Sequence, residues 1–345
     1  MRTVLVTGSA GFIGSHLCER LLADGHRVVG VDNFDPFYSQ SIKEGNLAAL
    51  RQHPHFRFCQ ADLRQGAAAL QAALPAGFTY EAVVHLAAKA GVGPSLREPA
   101  AYMENNVLGT THLLEWMRQQ EVKTLVFASS SSVYGNTPRT PFREDESLLA
   151  RSISPYAASK LAGEALTFTY HHLYQLSVLN ARFFTVYGPR QRPDLAIHKF
   201  ARLLRAGQPI PVYGDGSMAR DYTFVADTVD GIVRGLEYLL AHPGAYETVN
   251  LGNSQPVPLL ELVAAIGLAV GVAPVLQFQP AQAGDVDITY ADNEKAARLL
   301  GYQPRTTLAE GLRQFVGWLD TQVAPAEPAT LAPAGQAPVA LTPRS

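Results

Sequence analysis

The sequence predicts an α/β protein built on a doubly wound parallel sheet, with a smaller lobe on its C-terminal side. Apolar, β-branched runs recur along the first half of the chain, and segments with helical periodicity separate them. This alternation predicts parallel strands joined by crossover helices. The predicted strands are TVLVTG (3–8), HRVVGVD (26–32), FRFCQAD (56–62), AVVHLAA (82–88), TLVFASS (124–130) and SVLNARFFTVYG (177–188).

The composition changes along the chain and indicates how it is divided. After Gly188 the loops become rich in Pro and Gly and the elements shorter, which favours a second, smaller lobe over 189–320. We therefore predict a first domain over 1–188, to which 223–248 also contributes. Residues 321–345 are rich in Ala and Pro with few large apolar side chains, and this composition predicts disorder.

Composition and charge exclude several classes of protein. With 345 residues and 47% hydrophobic content, the chain is long enough for a large core. A net charge of −2 gives no electrostatic reason to expect nucleic acid or an anionic membrane as partner. Two cysteines and no signal-peptide pattern favour a reducing compartment, and we predict a cytoplasmic protein. No metal-binding spacing such as HExxH or CxxC is present, so no metal is expected.

A glycine loop follows the first predicted strand. In VTGSAGFIG, Gly8, Gly11 and Gly14 permit a tight turn and let a pyrophosphate approach the N-terminus of the next helix. Asp32 ends the second strand, where a carboxylate can accept hydrogen bonds from an adenosine ribose and repel a 2′-phosphate. The pattern predicts a Rossmann domain that binds NAD rather than NADP.

SPYAASKLAGEAL (154–166) places a tyrosine and a lysine one helical turn apart. A lysine ammonium near the phenol of Tyr156 would favour the phenolate, so Lys160 could make Tyr156 a base. Taken alone, the segment also fits an ordinary helix start with Ser154 as cap and Pro155 in the first turn.

FASSSSVYG (127–135) ends the fifth predicted strand with a run of serines. Ligands of doubly wound sheets bind at the carboxyl ends of the strands, so these serines are candidates to face a ligand. An exposed turn is the alternative.

Taken together, GSAGFIG, ASSSSVYG and YAASK resemble the extended short-chain dehydrogenases/reductases that act on nucleotide sugars, and the likeness runs from about residue 2 to 320. The resemblance implies that Tyr156 is the catalytic base and acid, and that Lys160 lowers the pKa of Tyr156 and binds the nicotinamide ribose. It also implies that Ser130 hydrogen-bonds the reacting hydroxyl. The implied cofactor contacts are Gly8, Gly11, Phe12, Ile13, Gly14, Asp32, Asn33, Asp62, Leu63, Leu86, Ala87, Ala88, Asn106, Tyr156 and Lys160.

The residues after Ser130 indicate which reaction of this family to expect. Dehydratases of the family carry Asp-Glu where this chain has Ser131 and Ser132, and decarboxylases carry a glutamate at the place of Ser132. A serine hydroxyl is a poor general acid or base at neutral pH. The chain therefore lacks the groups for elimination, and the resemblance implies 4-epimerisation of a UDP-sugar through a 4-keto intermediate.

RFFTVYGPRQRPDLAIHKF (182–200) and QAGDVDITYAD (282–292) resemble the corresponding segments of UDP-glucuronate 4-epimerases. A sugar carboxylate needs donors: Ser131, Ser132 and Thr185 could supply hydroxyls, and Arg192 could supply charge, although a surface-loop arginine is the alternative for Arg192. Arg220 and Asp285 resemble residues that hold the UDP moiety.

One departure from the glucuronate pattern keeps other functions open. Those epimerases read AGVR after the fourth strand, whereas this chain reads AGVG, with Gly93 in the place of the arginine and Lys89 nearby. The alternatives are a 4-epimerase of a neutral UDP-hexose or UDP-N-acetylhexosamine, and a non-catalytic NAD-binding protein on the same fold. The resemblance also implies a homodimer that pairs through helices over about 100–120 and 156–174.

Overall fold

The computed structural model describes residues 1–137, 139–145, 152–280 and 287–322. Its strands are β1 (Thr3–Thr7), β2 (Arg27–Asp32), β3 (Phe56–Gln60), β4 (Ala82–His85), β5 (Thr124–Ser130), β6 (Ser177–Phe183), β7 (Thr185–Tyr187), β8 (Ile210–Tyr213), β9 (Ala219–Phe224), β10 (Tyr246–Leu251), β11 (Pro256–Pro258) and β12 (Leu276–Gln279). Its α-helices are α1 (Phe12–Ala23), α2 (Gln40–Ala48), α3 (Ala67–Ala73), α4 (Val92–Arg97), α5 (Pro99–Tyr102), α6 (Gly109–Gln119), α7 (Pro155–Tyr174), α8 (Ala196–Arg205), α9 (Val225–Ala241), α10 (Leu259–Val270), α11 (Glu294–Leu300) and α12 (Leu308–Thr321). A π-helical turn, Met103–Leu108, joins α5 to α6, and 3₁₀ turns cover Leu50–Gln52, Leu63–Gln65 and Ser131–Tyr134.

A seven-stranded sheet carries the architecture, in the order β10-β6-β5-β4-β1-β2-β3. Its neighbouring strands are all parallel. Chain order reverses on either side of β1, as in doubly wound folds, so the carboxyl ends of β1, β2, β4 and β5 meet at one edge. The predicted fold class, a Rossmann-type doubly wound sheet, is confirmed.

Helices cover both faces of the sheet because successive strand residues point to opposite sides. Val4 and Val6 lie in the core formed with α1, α9 and the C-terminal helices, whereas Leu5 lies in the core formed with α3, α6 and α7. This double burial explains why the strands read as continuous apolar runs in the sequence.

Two features of the sheet differ from the sequence prediction. The segment predicted as one strand over 177–188 forms β6 and then β7, which leaves the main sheet and pairs with β9. Strand β10, which joins β6 at the sheet edge, was not among the predicted strands. Both depend on pairing partners far along the chain, which a local pattern does not encode.

The segments after Gly188 form smaller sheets and also return to the main one. β11, β9 and β7 form a three-stranded sheet, and β12 pairs with β8. The domain boundaries stay a prediction, and most of the predicted tail, 323–345, lies outside the described residues. Within the described part of the chain, no helix is long and apolar enough to cross a membrane.

Candidate active site

A cleft of about 460 Å³ opens where the carboxyl ends of the central strands meet. It brings together nearly all of the residues singled out from the sequence. The cleft is lined by Gly8, Gly11, Phe12, Ile13, Gly14, Asp32, Asn33, Asp62, Leu63, Leu86, Ala87, Ala88, Ser130, Ser131, Ser132, Tyr156, Lys160, Thr185, Arg192 and Arg220. Asp285 lies outside the described residues.

The glycine loop fits a dinucleotide by its geometry. Gly8 has φ +72°, and a Cβ there would lie 2.8 Å from the backbone nitrogen of Ala87. Gly11 precedes the first residue of α1, and the N-terminus of α1, with its free N–H groups, forms part of the cleft wall. The close approach of the loop to the end of β4 is therefore possible only without a side chain at Gly8.

Asp32 occupies the end of β2 and is 7% exposed. Its carboxylate accepts hydrogen bonds from the backbone nitrogens of Phe34 (2.9 Å) and Ala10 (3.3 Å). The ammonium of Lys43, on α2, lies 3.5 Å from the same carboxylate. Sequence analysis missed Lys43, because nothing in the α2 sequence marks this lysine as inward-pointing. Its charge offsets part of the repulsion that Asp32 would exert on a 2′-phosphate.

Asn106 is buried beside the loop after β4, and its cofactor contact stays a prediction. Its side-chain oxygen accepts from the backbone nitrogen of Lys89 (2.8 Å), and its amide donates to the carbonyl of Lys89 and to Ser159 Oγ, both at 2.9 Å. These bonds connect the loop after β4 to α7 through the side chain of Asn106. The neighbouring Asn105, on the same π-helical turn, lines the cleft.

Tyr156 is placed by the start of α7. Ser154 caps this helix, since its Oγ accepts from the backbone nitrogen of Ala157 at 3.1 Å, and Pro155 occupies the first turn. The helix-start pattern noted in the sequence is therefore real, and it does not compete with a catalytic role. Tyr102 packs edge-on against the ring of Tyr156, with centroids 6.1 Å apart.

Ser130 and Arg192 act on the phenol of Tyr156. Burial raises the pKa of Tyr156, while a hydrogen bond with Ser130 and the positive charge of Arg192 lower it. The Oγ of Ser130 also accepts from the backbone nitrogen (3.2 Å) and the hydroxyl (3.0 Å) of Ser132. The hydrogen bonds at the end of β5 therefore converge on the Oγ of Ser130.

The ammonium of Lys160 packs against the end of β5. Its ammonium donates to the carbonyl of Ala128 at 2.7 Å and lies 5.2 Å from the ring centroid of Phe127. Burial lowers the pKa of Lys160 to about 8, partly opposed by the charge of Glu164. The charge of Arg192 lowers the pKa of Tyr156, and the effect of Lys160 on that pKa stays a prediction. The binding of Lys160 to a ribose stays a prediction.

A buried ion pair lies behind these groups. The guanidinium of Arg182, on β6, donates to both carboxylate oxygens of Glu164, at 2.9 and 2.7 Å. Glu164 also accepts from Ser129 Oγ at 2.5 Å, and Arg182 donates to Tyr134 Oη at 2.9 Å. This pair connects α7 to β5 and β6. Sequence analysis missed this pair, because Glu164 and Arg182 lie on different elements.

Two aromatic side chains after β2, those of Phe37 and Tyr38, line the cleft. The ring of Phe37 lies 4.8 Å from the guanidinium carbon of Arg192 and 5.9 Å from the ammonium of Lys89. The ammonium of Lys43 lies 5.0 Å from the ring centroid of Tyr38.

The remaining predicted contacts, Thr185 and Arg220, lie at the start of β7 and on β9, and Arg220 donates to the carbonyl of Ala219 at 3.0 Å. Within the described ranges, no group of three or more metal-ligating side chains occurs.

The fold and the site define an extended short-chain dehydrogenase/reductase that acts on nucleotide sugars, since a glycine-loop cleft and a Ser–Tyr–Lys set share one sheet edge. More specifically, the chain belongs to the GDP-mannose 4,6 dehydratase family, whose model matches residues 5–315.

Relatives at the level of sequence include a UDP-glucuronate 4-epimerase of Thermodesulfobacterium geofontis. It is 40% identical over 318 residues, which cover 91% of this chain and 95% of the relative. An uncharacterized protein of Methanocaldococcus jannaschii is 40% identical over 319 residues, covering 92% of this chain and 96% of that protein.

Solved structures resemble the chain over the same extent. UDP-glucuronic acid 4-epimerase from Bacillus cereus, in complex with UDP-glucuronic acid and NAD, superposes with a TM-score of 0.85 at 34% identity. That match covers 92% of this chain and 99% of the Bacillus protein. A UDP-N-acetylglucosamine 4-epimerase from Methanobrevibacter ruminantium gives a TM-score of 0.83 at 28% identity, with coverage of 93% and 99%.

Proposed function

We propose that this protein is an NAD-dependent UDP-glucuronate 4-epimerase, which interconverts UDP-glucuronate and UDP-galacturonate. The observation that carries the proposal is that Tyr156, hydrogen-bonded to Ser130 and influenced by the charge of Arg192, lies in the same cleft as the glycine loop. The relatives described above support the sugar and the cofactor by their own activity and ligands.

The residues of the cleft suit each part of this reaction. NAD, when bound, supplies a reversible hydride acceptor for carbon 4 of the sugar. Tyr156 takes the proton from the 4-hydroxyl and returns it, and Ser130 orients that hydroxyl. Because Ser131 and Ser132 offer no carboxylate, no group there can drive elimination, so the 4-keto sugar turns over and is reduced on its other face.

The carboxylate of the sugar needs specific donors. Oxidation at carbon 4 makes a β-keto acid, which loses carbon dioxide when the bond to its carboxylate aligns with the keto group. Hydroxyls of Ser131, Ser132 and Thr185 line the cleft together with the guanidinium of Arg192. We propose that these groups hold the carboxylate out of that alignment, each charged hydrogen bond contributing roughly 1.5–3 kcal/mol.

One observation favours a neutral UDP-sugar as a second candidate substrate. Gly93 is exposed, and a Cβ built there would meet nothing within 4 Å. The glycine therefore leaves this position without the cation that glucuronate 4-epimerases resembling this chain carry, which favours a substrate without a carboxylate. Lys89 and Arg192 remain the cations on this side of the cleft.

The deciding experiment is NMR analysis of products from UDP-glucuronate, UDP-glucose and UDP-N-acetylglucosamine, each incubated with the protein without added reductant. We expect UDP-galacturonate to be the fastest-formed product. Faster turnover of either neutral sugar would replace the glucuronate proposal with the second candidate. No turnover of any sugar would favour a non-catalytic NAD-binding protein.

We also propose a homodimer in the cytoplasm. Leu108, at the end of the π-helical turn, is 43% exposed, and Leu173, near the end of α7, is 58% exposed. Large apolar side chains on these helices suit pairing with a second copy. Multi-angle light scattering should give twice the mass of the chain, and Leu173→Glu should shift it towards the monomer. A monomeric wild type would contradict the homodimer.

A further inference from the structure

Arg192 is held by three groups, although it lies in a loop. Its Nε donates to Oδ1 of Asp194 at 3.0 Å, and its Nη2 donates to Oδ2 at 2.7 Å. Nη2 also donates to the carbonyl of Ala90 at 3.3 Å, and the ring of Phe37 lies 4.8 Å from the guanidinium carbon. The side chain of Arg192 is 14% exposed. This arginine is therefore fixed before any ligand arrives.

The guanidinium of Arg192 keeps N–H groups for a ligand. A guanidinium has five N–H groups, and the bonds to Asp194 and Ala90 use one on Nε and two on Nη2. Nη1 has no partner in the described part of the chain. Because two parallel N–H···O bonds fix the plane of a guanidinium, the carboxylate of Asp194 also fixes the orientation of Nη1.

The local sequence makes this arrangement rigid. Arg192 and Asp194 are separated by Pro193, whose ring fixes φ. The backbone nitrogen of Leu195 donates to the carbonyl of Arg192 at 3.2 Å and closes the turn. The side chain of Asp194 is 42% exposed, so water screens its charge more than that of the buried arginine.

We propose that Asp194 is a positioning residue for substrate specificity: it holds Arg192 so that Nη1 meets the carboxylate of an acidic nucleotide sugar. This inference rests on the proposed function, because it takes UDP-glucuronate as the ligand. Asp194 acts on the sugar only through Arg192, and the ring of Phe37 limits the movement of the guanidinium from one face.

The test compares Asp194→Ala, Arg192→Ala and the double variant by calorimetric binding of UDP-glucuronate and UDP-glucose. We expect Asp194→Ala to weaken UDP-glucuronate binding about tenfold, as for one misplaced charged hydrogen bond, and to leave UDP-glucose binding unchanged. The double variant should bind UDP-glucuronate as Arg192→Ala does, because the two residues act as a unit. UDP-4-keto-pentose, measured by mass spectrometry, should increase in both single variants.

Matched controls separate this role from loss of charge or of stability. Asp320 forms an ion pair with Arg205 outside the cleft, and Asp320→Ala changes the net charge equally. It should alter neither binding nor product ratio. Asp194→Glu, which can rebuild the two bonds to Arg192, should recover most of the affinity for UDP-glucuronate.

Two results would overturn the positioning role. Tighter binding of UDP-glucuronate by Asp194→Ala than by wild type would show that Asp194 competes with the sugar for Arg192. Additive losses in the double variant would show that the two residues act independently.

A readout that does not depend on the sugar separates this proposal from the proposed function. The phenol of Tyr156 faces Arg192 and Tyr102, with Lys160 on its own helix. Displacing Arg192 should therefore move the acidic limb of kcat/KM to higher pH with whichever sugar is turned over. If wild type prefers a neutral sugar, the proposed function fails, and an unmoved limb in Asp194→Ala then overturns the positioning role as well.

Discussion

The ammonium nitrogen of Lys160 donates a hydrogen bond to the carbonyl oxygen of Ala128, at 2.7 Å. This bond fixes the lysine to the end of β5, two residues before Ser130. Lys160 and Ser130 are thereby held at the same strand end, beside Tyr156, and all three residues line the cleft. The three side chains of the predicted catalytic set are positioned by one strand and one helix, and their roles can be tested separately.

Tyr156→Phe removes only the phenolic oxygen. If Tyr156 is the general base and acid, turnover should fall by roughly two to four decades, because no neighbouring side chain replaces its proton transfer. Binding of UDP-glucuronate should change little, since the ring remains against Tyr102. Steady-state kinetics and calorimetry on the same preparation measure the two effects, and normal turnover would exclude Tyr156 from the mechanism.

Lys160→Met should slow the reaction yet stabilise the fold at neutral pH. Burial lowers the pKa of Lys160 from 10.5 to about 8, so the native state disfavours its charged form. This cost is fully present below pH 8 and disappears as the pH rises from about 8 to 10.5, where the unfolded chain still binds the proton. Removing the amine should raise the free energy of unfolding at pH 7 by up to about 3 kcal/mol.

Urea unfolding of wild type and Lys160→Met at pH 7 and pH 10.5 measures this difference. The free energy of unfolding of Lys160→Met should exceed that of wild type by less at pH 10.5 than at pH 7. A variant that is less stable than wild type at both pH values would show that the bond to Ala128 outweighs the cost of burial.

His85→Gln should reduce the sensitivity of the fold to acid. His85 is buried on β4 between the hydroxyls of Thr7 (2.7 Å) and Thr110 (2.9 Å), and burial lowers its pKa to about 3. Between pH 6.5 and 3 the unfolded chain binds a proton that the native state does not, so wild-type stability falls as the pH falls. The free energy of unfolding of wild type should fall by up to about 5 kcal/mol over this range.

Denaturant unfolding across this pH range should therefore show a smaller acid-induced loss in His85→Gln than in wild type. Parallel curves for the two proteins would mean that His85 gains its proton in the native state as readily as in the unfolded one.

Gly8→Ala should reduce the NAD that we expect the purified protein to carry. A Cβ at Gly8 would lie 2.8 Å from the nitrogen of Ala87 and would displace the loop that approaches the pyrophosphate. Gly25→Ala is the matched control, because Gly25 has φ +79° and no atom within 4 Å of a Cβ. Both variants carry backbone strain, but only Gly8→Ala disturbs the cleft.

Nucleotide released by denaturing each protein can be quantified enzymatically. We expect NAD from wild type and Gly25→Ala, and little from Gly8→Ala. Release of NADP from wild type would show that Lys43 offsets Asp32 enough to admit a 2′-phosphate.

The sequence by itself determined most strands of the main sheet, the glycine loop and the start of α7. Strands β1, β2, β4, β5 and β6 appear in the sequence as apolar runs because residues on both of their faces are buried. Gly8, Ser154 and Pro155 could be interpreted in the same way, since each satisfies a local backbone requirement of a turn or a helix start.

Only the tertiary structure decided which side chains meet. Lys43 lies against Asp32, the ammonium of Lys160 donates to the carbonyl of Ala128, and Asn106 bonds to the loop after β4. Strand β10 likewise joins the sheet after the chain has passed through the second lobe. These contacts join residues far apart in the chain, and the direction of each side chain follows from packing between elements, which no local periodicity records.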